Sequence, residues 1–177
     1  MVCFTLIFRF WRLTMSTLYV DNLEPNLGSR VLAAGHVVQV VNETYTTQVT
    51  TTGTSFIDTG LTASITPTST SSKILILVSQ HLEMVSSPDT NAQHQLSLVI
   101  TDGSNNIIFG QSANSQFRVK EQYAFAWQAN LNAIHSPNTT SSFTYKTRFK
   151  VQLSNNTSAV VQDNNHHSNI TLMEIAQ

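Results

Sequence analysis

The sequence predicts an all-β fold: an antiparallel jelly-roll β-sandwich of about eight strands, preceded by a short extended N-terminal adaptor. Three observations predict it. Uncharged polar residues dominate, with 23 Thr, 20 Ser, 15 Asn and 12 Gln, while only 11% of residues are charged; an ordinary soluble domain carries about 25% charge. Two long segments alternate apolar and polar residues with a period of two, which a helix does not sustain. Turn signals recur at roughly 8–15-residue spacing, and no segment has a convincing helical period. Eight strands in a jelly roll suit the length of a single domain with a real core.

The first fourteen residues stand apart. Met1 to Thr14 reads MVCFTLIFRFWRLT. Arg9 and Arg12 interrupt its apolar run, so it is too short to span a bilayer. The charges follow the apolar stretch and no small-x-small site comes after, so it is a poor signal peptide. A start at Met15 is expected, with residues 1–14 an over-extended start; a membrane-surface anchor is the alternative. Without the segment the formal charge moves from -1 to -3 and no cysteine remains. Residues 15–35 then form a polar lead with Pro25, Gly28 and Gly35, and residues 36–177 form the head.

The head is read strand by strand. Val37 to Val41 opens a strand that runs toward Val49, in residues that favour a pleated surface. Thr50 to Ser55 turns around Gly53. Phe56 to Asp58 and Leu61 to Thr66 are short strands split by Gly60 and closed by Pro67. Lys73 to Val78 is a continuous apolar run, expected of a strand covered on both faces. Ser86 to Asn91, with Pro88, is a loop. Gln95 to Thr101 is a strand, Asp102-Gly103-Ser104-Asn105 a hairpin turn, and Ile107 to Gln111 the return.

In Gln122 to Ala133, Tyr123, Phe125, Trp127, Ala129 and Leu131 share one face, and Gln122, Gln128, Asn130 and Asn132 the other. In Phe143 to Leu153, Phe143, Tyr145, Phe149, Val151 and Leu153 face one way, with Thr147 the polar exception. Thr144, Lys146, Arg148, Lys150 and Gln152 face the other way. Ser154 to Asn156 and Asp163 to His167 are turns, and Ile170 to Ile175 is the last strand.

Several function classes drop out. Nine Lys+Arg against ten Asp+Glu give almost no net charge, so a nucleic-acid binder is not expected. The single Cys3 excludes an intrachain disulfide framework and a zinc ribbon. No nucleophile elbow, phosphate loop, dinucleotide fingerprint, zinc helix or calcium loop is present. The carboxylates of the head are scattered, whereas a glycosidase needs a pair. No enzyme activity, cofactor or metal is expected. Two metal readings stay open beside that: His81 with Glu83 as a pair on one strand face, and His166 or His167 meeting its copies on a trimer axis.

The binding candidates are surface rows. Gln128, Asn130 and Asn132 offer uncharged donors and acceptors to a glycan or a subunit. Lys146, Arg148 and Lys150 form a basic stripe, with Arg118 and Lys120 before the preceding long strand. The stripe reads as a solvated face that guards against edge pairing, as a patch for anionic polysaccharide, or as a contact with acidic residues of a neighbour. The aromatic row of Tyr123, Phe125 and Trp127 is expected in the core, with sugar stacking the alternative.

A resemblance adds to this. Leu18-Tyr19-Val20-Asp21-Asn22-Leu23-Glu24-Pro25-Asn26-Leu27-Gly28-Ser29, then Gly35 to Val41, is similar to the start of small fibre proteins of marine tailed bacteriophages. Thr54 to Leu61, Ser64 to Pro67, Ser71 to Leu75 and the final Ile170 to Ile175 resemble a module of phage tail-fibre and virion-fibre sequences. The match covers about residues 16–80 and 168–176. It implies a homotrimeric virion protein whose jelly-roll head is similar in outline to tumour-necrosis-factor-like domains. Tyr19, Asp21, Asn22, Pro25 and Asn26 would lie in the segment that attaches to other virion proteins. The head would sit on the virion surface and meet host glycan or lipopolysaccharide, without nucleic acid and without membrane insertion. A capsid decoration protein without receptor binding, or a polysaccharide depolymerase, are the rival functions.

Overall fold

The computed structural model describes residues 34–86, 93–110, 117–120, 124–152 and 157–177, all within the unit that runs from Leu32 to Gln177. Residues 1–33 lie outside the described residues. So do Ser112–Gln116, Ser154–Asn156 and most of the Ser86–Asn91 loop. The described chain forms β1 (Val37–Tyr45), β2 (Val49–Thr51), β3 (Ile57–Ile65), β4 (Lys73–Ser86), β5 (Gln93–Asp102), β6 (Ile107–Phe109), β7 (Phe117–Lys120), β8 (Ala124–His135), β9 (Phe143–Val151), β10 (Thr157–Val161) and β11 (Ser168–Ile175).

These strands fall on eight tracks. β10 and β11 pair with successive stretches of β4, and β2 and β1 pair with β10 and β11. β7 and β6 pair with successive stretches of β5. Counted by track, sheet A has the order 1-8-3-6 (β1/β2, β10/β11, β4, β8) and sheet B the order 2-7-4-5 (β3, β9, β5, β6/β7). That order, antiparallel throughout, is a jelly roll.

The alternation read from the sequence sets the two layers. Leu98, Ile100, Tyr145, Phe149 and Val151 of sheet B meet Ile74, Ile76, Leu82, Ile170 and Leu172 of sheet A, all 0% exposed. Burying each such side chain contributes about 1.5–3 kcal/mol. Trp127 is partly buried against the core, Phe125 is 45% exposed, and Tyr123 lies outside the described residues, so of the aromatic row expected in the core only Trp127 is seen to pack there.

Some boundaries differ from the sequence reading. Residues 57–65 form one strand, not two. Gly60 sits at a register shift, at φ +89°, so it is a bulge instead of a breaker. β4 runs on past Val78 to Ser86, and β7 and β10 are additional strands. In the hairpin turn the left-handed residue is Asn105, at φ 73°. Asp102 caps that turn by accepting hydrogen bonds from the Ser104 and Asn106 backbone N–H groups, each 2.8 Å.

A polar chain crosses the core between the sheets. Thr59 bonds Thr147 (2.5 Å), and the Thr147 hydroxyl donates to Gln80 Oε1 (2.9 Å). Gln80 Nε2 donates to Ser168 Oγ (2.8 Å), which also accepts the His81 backbone N–H (2.9 Å). β4 changes partner from β11 to β10 at this point, so the Ser168 hydroxyl fills a gap in the ladder.

Candidate functional site: two unlike sheet faces

The pairing sorts the ends of the sandwich. β3, β5, β8 and β11 finish, and β1, β4 and β9 begin, at one end. Residues 66–72, 103–106 and 136–142 therefore share that end with the entry of the chain. Gly35 N–H donates to the Ala176 carbonyl there (2.8 Å). The β2–β3 connection lies at the opposite end. Asp163–Ser168 is at neither end: it interrupts the β10/β11 track in mid-sheet.

The outer face of sheet B carries the cations. Lys146 and Arg148 project from β9, and both pair with Asp58 of β3, at 2.8 and 2.7 Å. Arg148 also donates to the Phe56 carbonyl (2.7 Å), and Lys150 lies over the Phe56 ring at 4.9 Å. The outward side chains of β5 beside them, Ser97, Val99 and Thr101, are fully buried. Burial works against ionisation of Asp58, but the two cations outweigh it and hold its carboxyl below the usual range. The basic stripe is thus partly neutralised within the chain. Asp58→Asn should release both cations: retention on heparin resin rises and then vanishes in high salt, while stability changes by no more than about 1 kcal/mol. Unchanged retention would mean the stripe does not engage polyanions.

The outer face of sheet A is different. Gln128, Asn130 and Asn132 are exposed on its edge strand β8, as the period of two requires. Gln128 donates to Ser79 Oγ (2.9 Å), and Asn42 of β1 donates to Thr171 Oγ1 (2.7 Å). One row crosses all four tracks as Val40, Met173, Leu75 and Ile134. Val40 is 55% and Ile134 67% exposed. The apolar run of β4 was expected to be covered on both faces, but in the single chain Leu75 and Leu77 are only half-buried on this side.

Farther along that face lies an ionisable cluster. The His81 and His166 rings stack at 4.3 Å, 5° from parallel. Burial, then the neighbouring His166, lowers the proton affinity of His81, against the pull of Asp163. Burial and the facing Asp163 carboxyl raise that of Glu83. Gln162, Asn164 and Asn165 adopt left-handed backbone here, a conformation Asn tolerates best. The His81–Glu83 pair is thus engaged by Asp163 and His166, which spacing along the chain did not reveal. Among the described residues no group of three or more His, Cys, Asp or Glu is arranged to hold a metal ion.

A second carboxylate is structural. Glu174 is fully buried and accepts hydrogen bonds from Gln39 Nε2 (2.6 Å), Thr68 N–H (2.7 Å), Thr68 Oγ1 (2.8 Å) and Ser72 Oγ (2.7 Å). Gln39, Ser72 and Glu174 all belong to the segments that carry the fibre-protein resemblance.

No protein-family model and no curated protein matches the sequence. Among solved structures, the chain is similar to the infectious bursal disease virus VP2 subviral particle. The TM-score is 0.38 and the identity 11%, over 80% of this chain and 39% of that one. The infectious bursal disease virus Gt strain structure is similar at TM-score 0.38 and 11% identity, over 85% and 44%. The chain spans less than half of either. The jelly-roll description rests on the strand order above and not on these likenesses.

Proposed function

We propose that the chain is a structural protein of a bacteriophage particle, a tail fibre or capsid fibre on the virion surface. Three copies form a head. Residues 15–35 attach it to other virion proteins, and the end of the sandwich away from that entry meets host glycan or lipopolysaccharide. The chain acts by binding and not by chemistry. The observation that carries this reading is polar placement on a rigid sandwich: the chain enters beside Ala176 at one end, leaving the other end free to vary and bind. On this geometry Asp102–Asn106 and Ser136–Ser142 flank the attachment side. Among the described residues the distal end carries the β2–β3 connection.

Binding of the recombinant full chain to a glycan and lipopolysaccharide array tests the reading. Specific binding that competes with phage adsorption is the expected result. Binding only to assembled capsids would make it a decoration protein, and falling viscosity of host polysaccharide would make it a depolymerase.

A further inference from the structure

We propose that the cleft at the β3 bulge, lined by Asp58, Gly60, Leu61, Thr62 and Lys146, binds one uncharged sugar unit of a host glycan through its hydroxyl groups. This names the ligand class for the host contact proposed above and rests on that reading.

The bulge makes the cleft. In the ladder to β9, Asp58 pairs with Arg148 and Thr62 with Lys146, so Thr59, Gly60 and Leu61 stand against Thr147 alone. Thr59 and Leu61 are buried. Gly60 therefore stands between Asp58 and Thr62 and brings no side chain, and the Tyr45 ring fills the place its Cβ would take. The cleft measures about 170 Å³, below the roughly 300–1,000 Å³ of pockets that enclose a drug-sized molecule, so it admits one ring-sized unit. Asp58 is the second residue of β3 counted from the end away from the chain entry.

The chemistry of the lining selects the occupant. Asp58 and Lys146 stand side by side, an acceptor and a donor 2.8 Å apart, and the Asp58 side chain is 49% exposed. Arg148 Nε holds the other carboxylate oxygen at 2.7 Å, so the acceptor is fixed before any ligand arrives. A carboxylate has about four lone-pair sites and an ammonium three donors, and the contacts to Arg148 and Lys146 leave some of each for a ligand. The Thr62 hydroxyl donates to the Tyr145 carbonyl (3.2 Å), which leaves its oxygen able to accept. An anion entering here meets Asp58, and a cation meets Lys146. A sugar hydroxyl, which donates and accepts at once, satisfies both, and bonds to charged partners are the stronger kind. Arg148 and Lys150 are engaged beside the cleft, on the Phe56 carbonyl and over the Phe56 ring.

The test is binding of the full chain to an array of neutral oligosaccharides built from glucose, galactose, mannose and N-acetylglucosamine, with heparin alongside. Binding to a neutral member is expected to persist in about 1 M salt, where charges are screened beyond about 3 Å. Asp58→Asn and Lys146→Met should each weaken it at least tenfold with the circular dichroism spectrum intact, and Lys150→Glu should leave it unchanged. Asp58→Asn then acts in opposite senses on the two ligands, lowering neutral-sugar binding while raising heparin retention. Neutral-sugar binding that both cleft variants leave intact would overturn this site and leave the host-glycan reading standing. So would binding confined to anionic glycans and lost in high salt. No binding to any glycan or lipopolysaccharide would overturn both.

Discussion

Gly60→Ala should destabilise the protein by about 3 kcal/mol or more, lowering the melting midpoint by roughly 10 °C. Two independent costs combine. At φ +89° an L-residue loses about 1–2 kcal/mol. A Cβ at Gly60 would also stand 2.1 Å from Tyr45 Cε1 and 2.4 Å from Cζ, so the ring must leave its place against β3, and overpacking of this kind costs about 1–3 kcal/mol. The two parts are separable. In a Tyr45→Ala background the steric part disappears, and Gly60→Ala should cost only about 1 kcal/mol more than Tyr45→Ala alone. Urea unfolding of the four proteins measures the coupling. Equal costs in both backgrounds would show that the Tyr45 contact does not dictate the glycine.

Glu174→Ala should cost about 3 kcal/mol, because it strands donors instead of removing an exposed charge. Gln39 Nε2, Thr68 N–H and the Thr68 and Ser72 hydroxyls all lose their acceptor, and unsatisfied buried groups cost about 1–3 kcal/mol each before water or rearrangement relieves them. Glu174→Gln should fall in between. Its amide can keep an oxygen toward Thr68 and Ser72, but it then turns an NH₂ toward the Gln39 NH₂. Gln39 can flip only by giving up its bond to the Thr66 carbonyl.

The carboxylate also predicts a pH limb. Burial alone would raise its pKa, but the donors from Gln39, Ser72 and Thr68 outweigh it and hold the group below the ordinary 4.5. Its contribution is therefore complete above the unfolded value, near 4.5, and is lost as pH falls through the lower folded value. Unfolding free energies of wild type and Glu174→Gln should converge progressively as the pH falls below 4.5. Parallel curves would contradict the linkage.

Much of the fold was legible because strand faces are local. The period of two in 124–135 and 143–151 separates inward Ala129, Leu131, Tyr145 and Phe149 from outward Gln128, Asn130, Lys146 and Arg148 without any knowledge of partners. Features that depend on register were not legible. Gly60 reads as a breaker unless the Tyr45 ring is seen beside it. β10 and β11 lie on one track because β4 changes partner at Gln80 and His81, a choice fixed by Ser168 far along the chain. The same limit applies to the candidate surface. The exposure of Asn130 and Asn132 follows from alternation, whereas the neutralisation of Lys146 and Arg148 by Asp58 bridges 88 and 90 residues and leaves no mark in local sequence.

The entry of the chain has a mechanical consequence. β1 runs from Val37 directly away from the end where Gly35 is held against Ala176, with its ladder to β11 along its whole length. A pull on the chain at Gly35, opposed by a grip at the far end of the head, acts along the strand axis. It loads the rungs of that ladder together in shear, where a perpendicular pull would peel them one at a time. The β1–β11 ladder is therefore oriented to bear tension along the strand direction, and the force it withstands should depend on which end is held.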